Sequence, residues 1–136
     1  MNSTTLTILN DNAEFDTLPQ RVADILCPQG IVQDTIDRIM LALEEMLTNT
    51  IKYGYDDKDA HHIEIGLQVE ADEILLTIVD GGHPFDPLAA IPPDTDLPID
   101  ERPIGGLGIH LVRKMSSSMR YEYKAGQNHL EIRFSK

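Results

Sequence analysis

The sequence predicts an α/β (α+β) domain, a two-layer sandwich in which about three helices cover one face of a mixed, mostly antiparallel sheet. Three segments alternate strictly between apolar and polar residues, and one long segment repeats apolar residues at three- and four-residue steps. Period two is typical of half-buried strands, and the longer steps are typical of an amphipathic helix. With 136 residues and no internal repeat or linker, we expect a single domain over residues 1–136.

The first half of the chain predicts one strand and two helices. Leu6 and Ile8 alternate with threonines in a short strand, and apolar spacing predicts a helix over about residues 15–26. The longest helix is predicted over about residues 33–53, with Gly54 placed to cap it.

The second half predicts four more strands and one helix. Alternation predicts strands over residues 63–69, 119–123 and 130–134, and a nearly continuous apolar run predicts a more central strand over residues 74–79. A helix is predicted to begin near Gly106. The three helices are expected to cover the apolar face of the sheet.

A loop over about residues 83–104 interrupts this pattern. It holds six of the chain's eight prolines and has no apolar period. A loop of that length in a small domain is usually a lid, a binding segment or disordered.

Composition excludes several classes of protein. The net charge of −12 disfavours nucleic acid and anionic membranes, because nucleic-acid binding usually demands a basic stripe. No apolar run approaches the roughly 20 residues that cross a bilayer, and the N-terminus lacks the features of a secretory signal. The single cysteine excludes an internal disulfide. We therefore expect a cytoplasmic protein.

Glu45 and Asn49 lie one turn apart on the longest predicted helix, and both point away from its apolar stripe. Such a pair is common on a solvated helix face. The functional interpretation makes the Asn49 amide oxygen a magnesium ligand and Glu45 a carboxylate beside it that takes a proton. Mg²⁺ prefers hard oxygen ligands and keeps several waters, so one protein oxygen with nucleotide phosphates is a normal site.

Two glycine-bearing segments follow downstream. Asp80 ends an apolar strand and enters the Gly81-Gly82 turn, where a carboxylate can accept the amino proton of adenine and glycine lets the backbone approach the base. The segment G-G-L-G over residues 105–108 opens a helix, whose free amides attract phosphate. Taken singly, the first segment is more typical of a plain turn, and a glycine-rich helix start such as the second is often only a place of tight packing.

The sequence does not match other common nucleotide-binding or zinc-binding motifs. The chain has neither G-x-x-x-x-G-K-[ST] nor G-x-G-x-x-G, which excludes a P-loop, a Rossmann loop and a protein-kinase glycine loop. Scattered histidines and one cysteine make a zinc site improbable.

Taken together, E-x-x-x-N at Glu45–Asn49, D-x-G at Asp80–Gly82 and G-G-L-G at residues 105–108 resemble the N, G1 and G2 boxes of the GHKL ATPase superfamily. Residues 44–55, 80–87 and 101–115 are more closely similar to the anti-sigma regulatory factors, serine/threonine protein kinases of the partner-switching type. The resemblance covers nearly the whole chain. It implies the Bergerat (histidine-kinase-like ATPase) fold, ATP bound under a mobile lid over about residues 84–104, and Mg²⁺.

The resemblance also implies roles for single residues. Glu45 would be the general base, Asn49 the magnesium ligand, Asp80 the adenine acceptor and Gly82 part of the base pocket. The phosphate-binding segment would comprise Gly105, Gly106, Leu107 and Gly108. One departure is Pro84, which stands where the G1 pattern often has a second glycine and which offers no N–H.

In that family the substrate is a serine or threonine of a STAS-type anti-sigma factor antagonist, and the kinase sequesters a sigma factor. We expect Arg102 to help neutralise phosphate charge, although a solvated loop arginine is an equal interpretation. Arg21 on the first predicted helix is a weaker candidate for contacting a partner. A homodimer through the first strand and helix follows by analogy.

Three function classes remain open from the sequence. The first is an active protein-serine kinase and anti-sigma switch, and the second is an ATP-binding regulator that sequesters a partner without phosphoryl transfer. The third, the catalytic half of a histidine kinase, is favoured least because no phosphoacceptor helix precedes the first strand. Glu45 favours the first class, since a pure binding module has no need for a base.

Overall fold

The computed structural model describes residues 2–57, 59–89 and 106–136. In these ranges the strands are β1 (Asn2–Leu9), β2 (His62–Val69), β3 (Glu73–Asp80), β4 (Ser118–Lys124) and β5 (Gln127–Ser135). The helices are α1 (Asn12–Phe15), α2 (Leu18–Leu26), α3 (Gln33–Tyr53) and α4 (Gly106–Met115), with short 3₁₀ turns at Cys27–Gln29 and Pro87–Ala89. Gly105, Arg102 and most of the predicted lid lie outside the described residues.

The strands form one sheet in the order β1-β2-β3-β5-β4, and every neighbouring pair is antiparallel. One row of cross-strand partners runs through the whole sheet on its inner face: Leu6, Ile65, Ile78, Leu130 and Tyr121. The predicted two-layer architecture is confirmed. The sheet is more regular than the mixed one that the sequence predicted, because no parallel pair occurs in the described strands.

The core lies between the inner face of the sheet and the helices. Buried side chains come from α2, α3 and α4 on one side and from β2, β3 and β5 on the other, including Val22, Leu43, Val112, Ile65, Leu76 and Phe134. Each contributes about 1.5–3 kcal/mol by burial, so the apolar alternation fixes the register of every strand. No helix in the described ranges is both long and apolar enough to span a bilayer.

The predicted helix over residues 15–26 is wrong at its start, because the structure has two helices there. Asp11 caps α1 by accepting a hydrogen bond from the Glu14 N–H at 2.8 Å. The Thr17 hydroxyl donates to the Glu14 carbonyl at 2.6 Å, and Pro19 lies in the first turn of α2. Proline is favoured at a helix start and costly in a helix interior, which explains the break.

Candidate functional site

Buried polar side chains mark the site. In the described part of the chain they belong to Thr35, Asn49, Asp80 and Asn128, and the last three line one cleft. The cleft, with its open mouth, has a volume of about 590 Å³. Its remaining described lining is largely apolar or aromatic: Met46, Tyr53, Ile78, Pro84, Phe85, Pro87, Tyr121 and Leu130. A largely apolar cleft with a few convergent polar groups is typical of a small-molecule site.

Asp80 reaches the cleft because it continues the inward alternation of β3 to the last residue of the strand. Its side chain is only 6% exposed. Oδ1 accepts two hydrogen bonds, from the Gly82 N–H at 2.9 Å and from Asn128 Nδ2 at 3.0 Å. None of the hydrogen bonds found in the described residues uses Oδ2. The carboxylate therefore has one oxygen held by the protein and one available to a ligand.

Gly82 follows Asp80 and packs against the end of α3. A Cβ at this position would lie 2.7 Å from the Gly54 carbonyl oxygen and 3.0 Å from Asp80 Oδ1, so a larger residue would displace the loop. The next amide, of His83, donates to the same Gly54 oxygen at 2.7 Å. The carbonyl that ends α3 thus anchors the turn after β3.

Asn49 lies in the wall of the cleft and is 9% exposed. The sequence predicted that Asn49 points away from the core. The side chain is nevertheless buried, because it faces the cleft and not the solvent. Its Nδ2 is buried without a hydrogen-bond partner in the described part of the chain. An unpaired buried donor costs about 1–3 kcal/mol, and a ligand oxygen could remove that cost. The amide fits a site for phosphate and a hard cation, with its oxygen as the metal-binding atom.

Glu45 is half-buried and contacts Gly108 in the first turns of α4. A Cβ at Gly108 would overlap the Glu45 carboxylate, so glycine is required for this approach. Two segments far apart in sequence therefore meet at the start of α4. Gly106 and Leu107 begin α4, whose N-terminal amides have no intrahelical partner and favour anions.

Sequence analysis missed Asn128 and Tyr121. Asn128 pairs with Asp80 across β3 and β5, and its side chain accepts a hydrogen bond from the Tyr121 hydroxyl. Burial raises the pKa of Tyr121; the Phe85 N–H lowers this pKa in part, and the carboxylates of Asp86 and Asp80 raise it. The alternation of β5, extended back by one step from Leu130, would have indicated that Asn128 points inward.

Tyr55 lies beside the same carboxylate. Its hydroxyl is buried and has no hydrogen-bond partner within the described ranges, while its ring stacks on His61 with centroids 3.9 Å apart. Burial raises the pKa of Tyr55, the Asp80 carboxylate raises it further, and the Gly81 N–H acts in the opposite direction. His61 also contacts Asp57 at 2.7 Å, and this hydrogen bond lowers the pKa of the Asp57 carboxyl.

Charge in the cleft disfavours a bare polyphosphate. The described lining includes the Asp80 carboxylate, and no Lys or Arg is among those lining residues. Arg21, on α2, is half-buried and is not part of the described lining. A bound triphosphate would therefore need a metal cation, the amides of α4 and any basic group outside the described residues.

The sequence matches the family described as histidine kinase-like ATPase domain over residues 9–134. The chain belongs to this family. A solved structure of the Acinetobacter baumannii histidine kinase AdeS shares the fold with a TM-score of 0.51 at 15% identity, covering 99% of this chain and 68% of that one. The predicted Bergerat fold and membership in the GHKL superfamily are confirmed, and ATP use follows at the level of the family.

Curated relatives of this ATPase domain are named as protein kinases. The serine/threonine-protein kinase BtrW of Bordetella bronchiseptica is 28% identical, over 69% of this chain and 66% of its own length. The serine-protein kinase RsbW of Oceanobacillus iheyensis is 26% identical over 71% and 64%. The RsbW of Staphylococcus aureus is 30% identical over 85% and 76%. The chain thus spans about two thirds of the length of the first two relatives.

Proposed function

We propose that this chain is an ATP-dependent protein serine/threonine kinase and anti-sigma regulatory factor. It phosphorylates a STAS-type antagonist protein and sequesters a sigma factor by partner switching in the cytoplasm. The observation that carries this proposal is the arrangement along α3. Glu45 contacts the start of α4, and Asn49, one turn further, presents an unpaired buried amide to the cleft that also contains Asp80.

The adenine of ATP is assigned to the part of the cleft around Asp80. Adenine carries an amino group that donates, and Asp80 has one oxygen that no hydrogen bond in the described residues uses. Apolar side chains such as Ile78 and Leu130 line the same cleft and suit the faces of a purine. Gly82 lines this base pocket in the proposal, since glycine leaves room for the approach of the ring.

The phosphates are assigned to Asn49 and the start of α4. The segment Gly105, Gly106, Leu107 and Gly108 supplies backbone amides at the start of α4. Asn49 holds Mg²⁺ through its amide oxygen, and its Nδ2 donates to a phosphate oxygen. When bound, Mg²⁺ neutralises phosphate charge in a cleft whose described lining offers no lysine or arginine.

The transfer step needs a base near the γ-phosphate. Glu45 takes the proton of the substrate serine hydroxyl while the serine oxygen forms a bond to the γ-phosphorus. The bond from that phosphorus to the β–γ bridging oxygen breaks, and ADP leaves with the electron pair. A positioned base contributes about 10²–10⁴ in rate, which a purely sequestering regulator would not need.

Residues 84–104 act as the lid over ATP, within a single domain over residues 1–136. Arg102 in that segment neutralises phosphate charge, and Arg21 contacts a partner protein. Two copies of the chain form a homodimer. These assignments rest on the resemblance to the partner-switching kinases and extend the proposal to the parts of the chain outside the cleft.

The test is transfer of labelled phosphate from ATP to a STAS-type protein encoded by the same organism. Wild type should label a serine or threonine of that protein, and Glu45→Ala should bind ATP with unchanged affinity and label it about 10²–10⁴ times more slowly. Labelling by the variant at the wild-type rate would refute the base assignment. Tight complex formation without any labelling by wild type would instead favour the ATP-binding regulator that sequesters without transfer.

A further inference from the structure

Both the oxygen and the nitrogen of the Asn128 side chain are hydrogen-bonded inside the cleft. It is the second residue of β5, lies opposite Asp80 in the strand register and is 7% exposed. Its Nδ2 donates to Asp80 Oδ1, and its Oδ1 accepts from the Phe85 N–H at 3.1 Å and from the Tyr121 hydroxyl. A buried side chain with all its polar atoms paired has one orientation, so it can fix the groups that it contacts.

The first of those groups is the Asp80 carboxylate. The bonds from Asn128 and from the Gly82 N–H both go to Oδ1, at 3.0 and 2.9 Å. Rotation of the carboxylate would break both of them. Because both donors bind Oδ1, the orientation of the carboxylate is fixed and Oδ2 is the oxygen left for a ligand.

The second group is the chain on both sides of Pro84. Asn128 Nδ2 also donates to the carbonyl oxygens of Gly82 at 3.3 Å and His83 at 2.9 Å, while its Oδ1 binds the Phe85 amide. Pro84 has no N–H to hold its own position. One side chain on β5 thus fixes the turn that forms the mouth of the cleft.

We propose that Asn128 is a positioning residue that sets the preference of this site for adenine over guanine nucleotides. It directs the free oxygen of Asp80 toward the 6-amino group of adenine and holds residues 82–85 as the rim of the base pocket. Guanine carries a carbonyl at the same place, so a fixed carboxylate oxygen meets an acceptor and rejects it. A carboxylate free to rotate would discriminate less. This inference rests on the proposed ATP site.

The experiment measures dissociation constants of Mg-ATP and Mg-GTP by calorimetry between pH 6 and pH 8 for wild type, Asn128→Asp and Asn128→Ala. Asn12→Asp is the matched control, because it makes the same change of charge at an exposed position outside the cleft. Both Asn128 variants should bind ATP roughly ten- to a hundredfold more weakly and bring the two nucleotides close to equal affinity. Asn12→Asp should match wild type.

Asn128→Asp gives a further readout. Two carboxyl groups in contact hold one proton between them up to a higher pH than either alone. That proton replaces the lost amide donor, so the variant should regain ATP affinity as the pH falls from 8 to 6. In the described part of the chain, the titratable groups near Asp80 include His83, Tyr55 and Tyr121, with Asp86 beside Tyr121. The wild-type and Asn128→Ala profiles contain their contribution.

Several outcomes would overturn the inference. One is an unchanged ratio of ATP to GTP affinity in both Asn128 variants, including an equal loss for both nucleotides, as a merely structural role predicts. Another is an ATP affinity of Asn128→Asp that does not change between pH 6 and pH 8. If neither variant folds, Tyr121→Phe removes one of the two donors to Asn128 Oδ1 and should lower the ratio severalfold; an unchanged ratio would overturn the inference. Wild type that binds no ATP refutes the proposed function as well, whereas selective wild type with equally selective variants refutes only the role of Asn128.

Discussion

The contact between Gly108 and Glu45 allows the base assignment to be tested without changing the base. In Gly108→Ala the new Cβ would overlap Oε2 and Cδ of Glu45 and lie 3.0 Å from Oε1. The Cβ is fixed to the backbone of α4, while the carboxylate is the far end of a flexible side chain. The carboxylate therefore has to move out of its position.

The expected size of the effect differs between stability and rate. Alanine is favoured over glycine in a helix by about 1 kcal/mol, and displacing one side-chain end costs about the same, so the free energy of unfolding should change by less than about 1 kcal/mol. ATP affinity should be unchanged, because alanine keeps the backbone N–H. Phosphoryl transfer should fall by about 10²–10⁴, the contribution of a positioned base.

The assay is single-turnover transfer at saturating ATP for wild type, Gly108→Ala, Glu45→Ala and the double variant. If Gly108→Ala acts only by displacing Glu45, the double variant should be no slower than Glu45→Ala, since residues that share one contact do not add. A wild-type rate in Gly108→Ala would refute the reasoning. A further large loss in the double variant would show that Gly108 acts on the phosphates independently of Glu45.

Three other substitutions test two polar residues of the cleft, Asp80 and Asn49, and the nearby Tyr55. Asp80→Asn should weaken ATP binding by about 1–3 kcal/mol in calorimetry, because an amide donor would then face the amino group of adenine; equal binding of ATP and GTP by wild type would contradict the role of Asp80. Asn49→Leu should abolish Mg-dependent ATP binding and raise the melting temperature of the nucleotide-free protein, since it removes a buried unpaired donor. Tyr55→Phe should likewise stabilise the free protein by about 1 kcal/mol in denaturant unfolding. The raised pKa of Tyr55 means that the unfolded chain loses this proton first, so wild-type stability should fall as the pH rises above the ordinary tyrosine value of 10.0, and Tyr55→Phe should reduce that fall.

Periodicity predicted the sandwich well where a single face decides burial. The longest helix was predicted over residues 33–53 and is α3, Gln33–Tyr53. Strands β2 and β5 agree with the predicted alternation, and β3 agrees with the nearly continuous apolar run, to within three residues at each end. A one-residue slip would turn every apolar side chain of such a strand outward, so the pattern leaves little freedom.

Local chemistry explains what periodicity missed. The series Phe15, Leu18, Val22 continues through the break between α1 and α2, and only Pro19 indicates that a second helix begins there. Alternation predicts a strand only from Leu130, yet β5 begins at Gln127, directly after the turn at Ala125 and Gly126. The pairing of Asn128 with Asp80 depends on strand order, which a sequence pattern does not contain.

Asn49 Nδ2 in the cleft and the Tyr55 hydroxyl near Asp80 have no hydrogen-bond partner in the described part of the chain, and both groups also bear on the lifetime of the protein. They hold the nucleotide-free chain below the stability that its apolar core could give. A ligand present at a thousand times its dissociation constant adds about 4.1 kcal/mol to the folded state. A change of that size alters the unfolded fraction on which proteases act. A cell depleted of ATP would then degrade this protein faster, so the amount of the protein would follow the energy supply without any dedicated sensor.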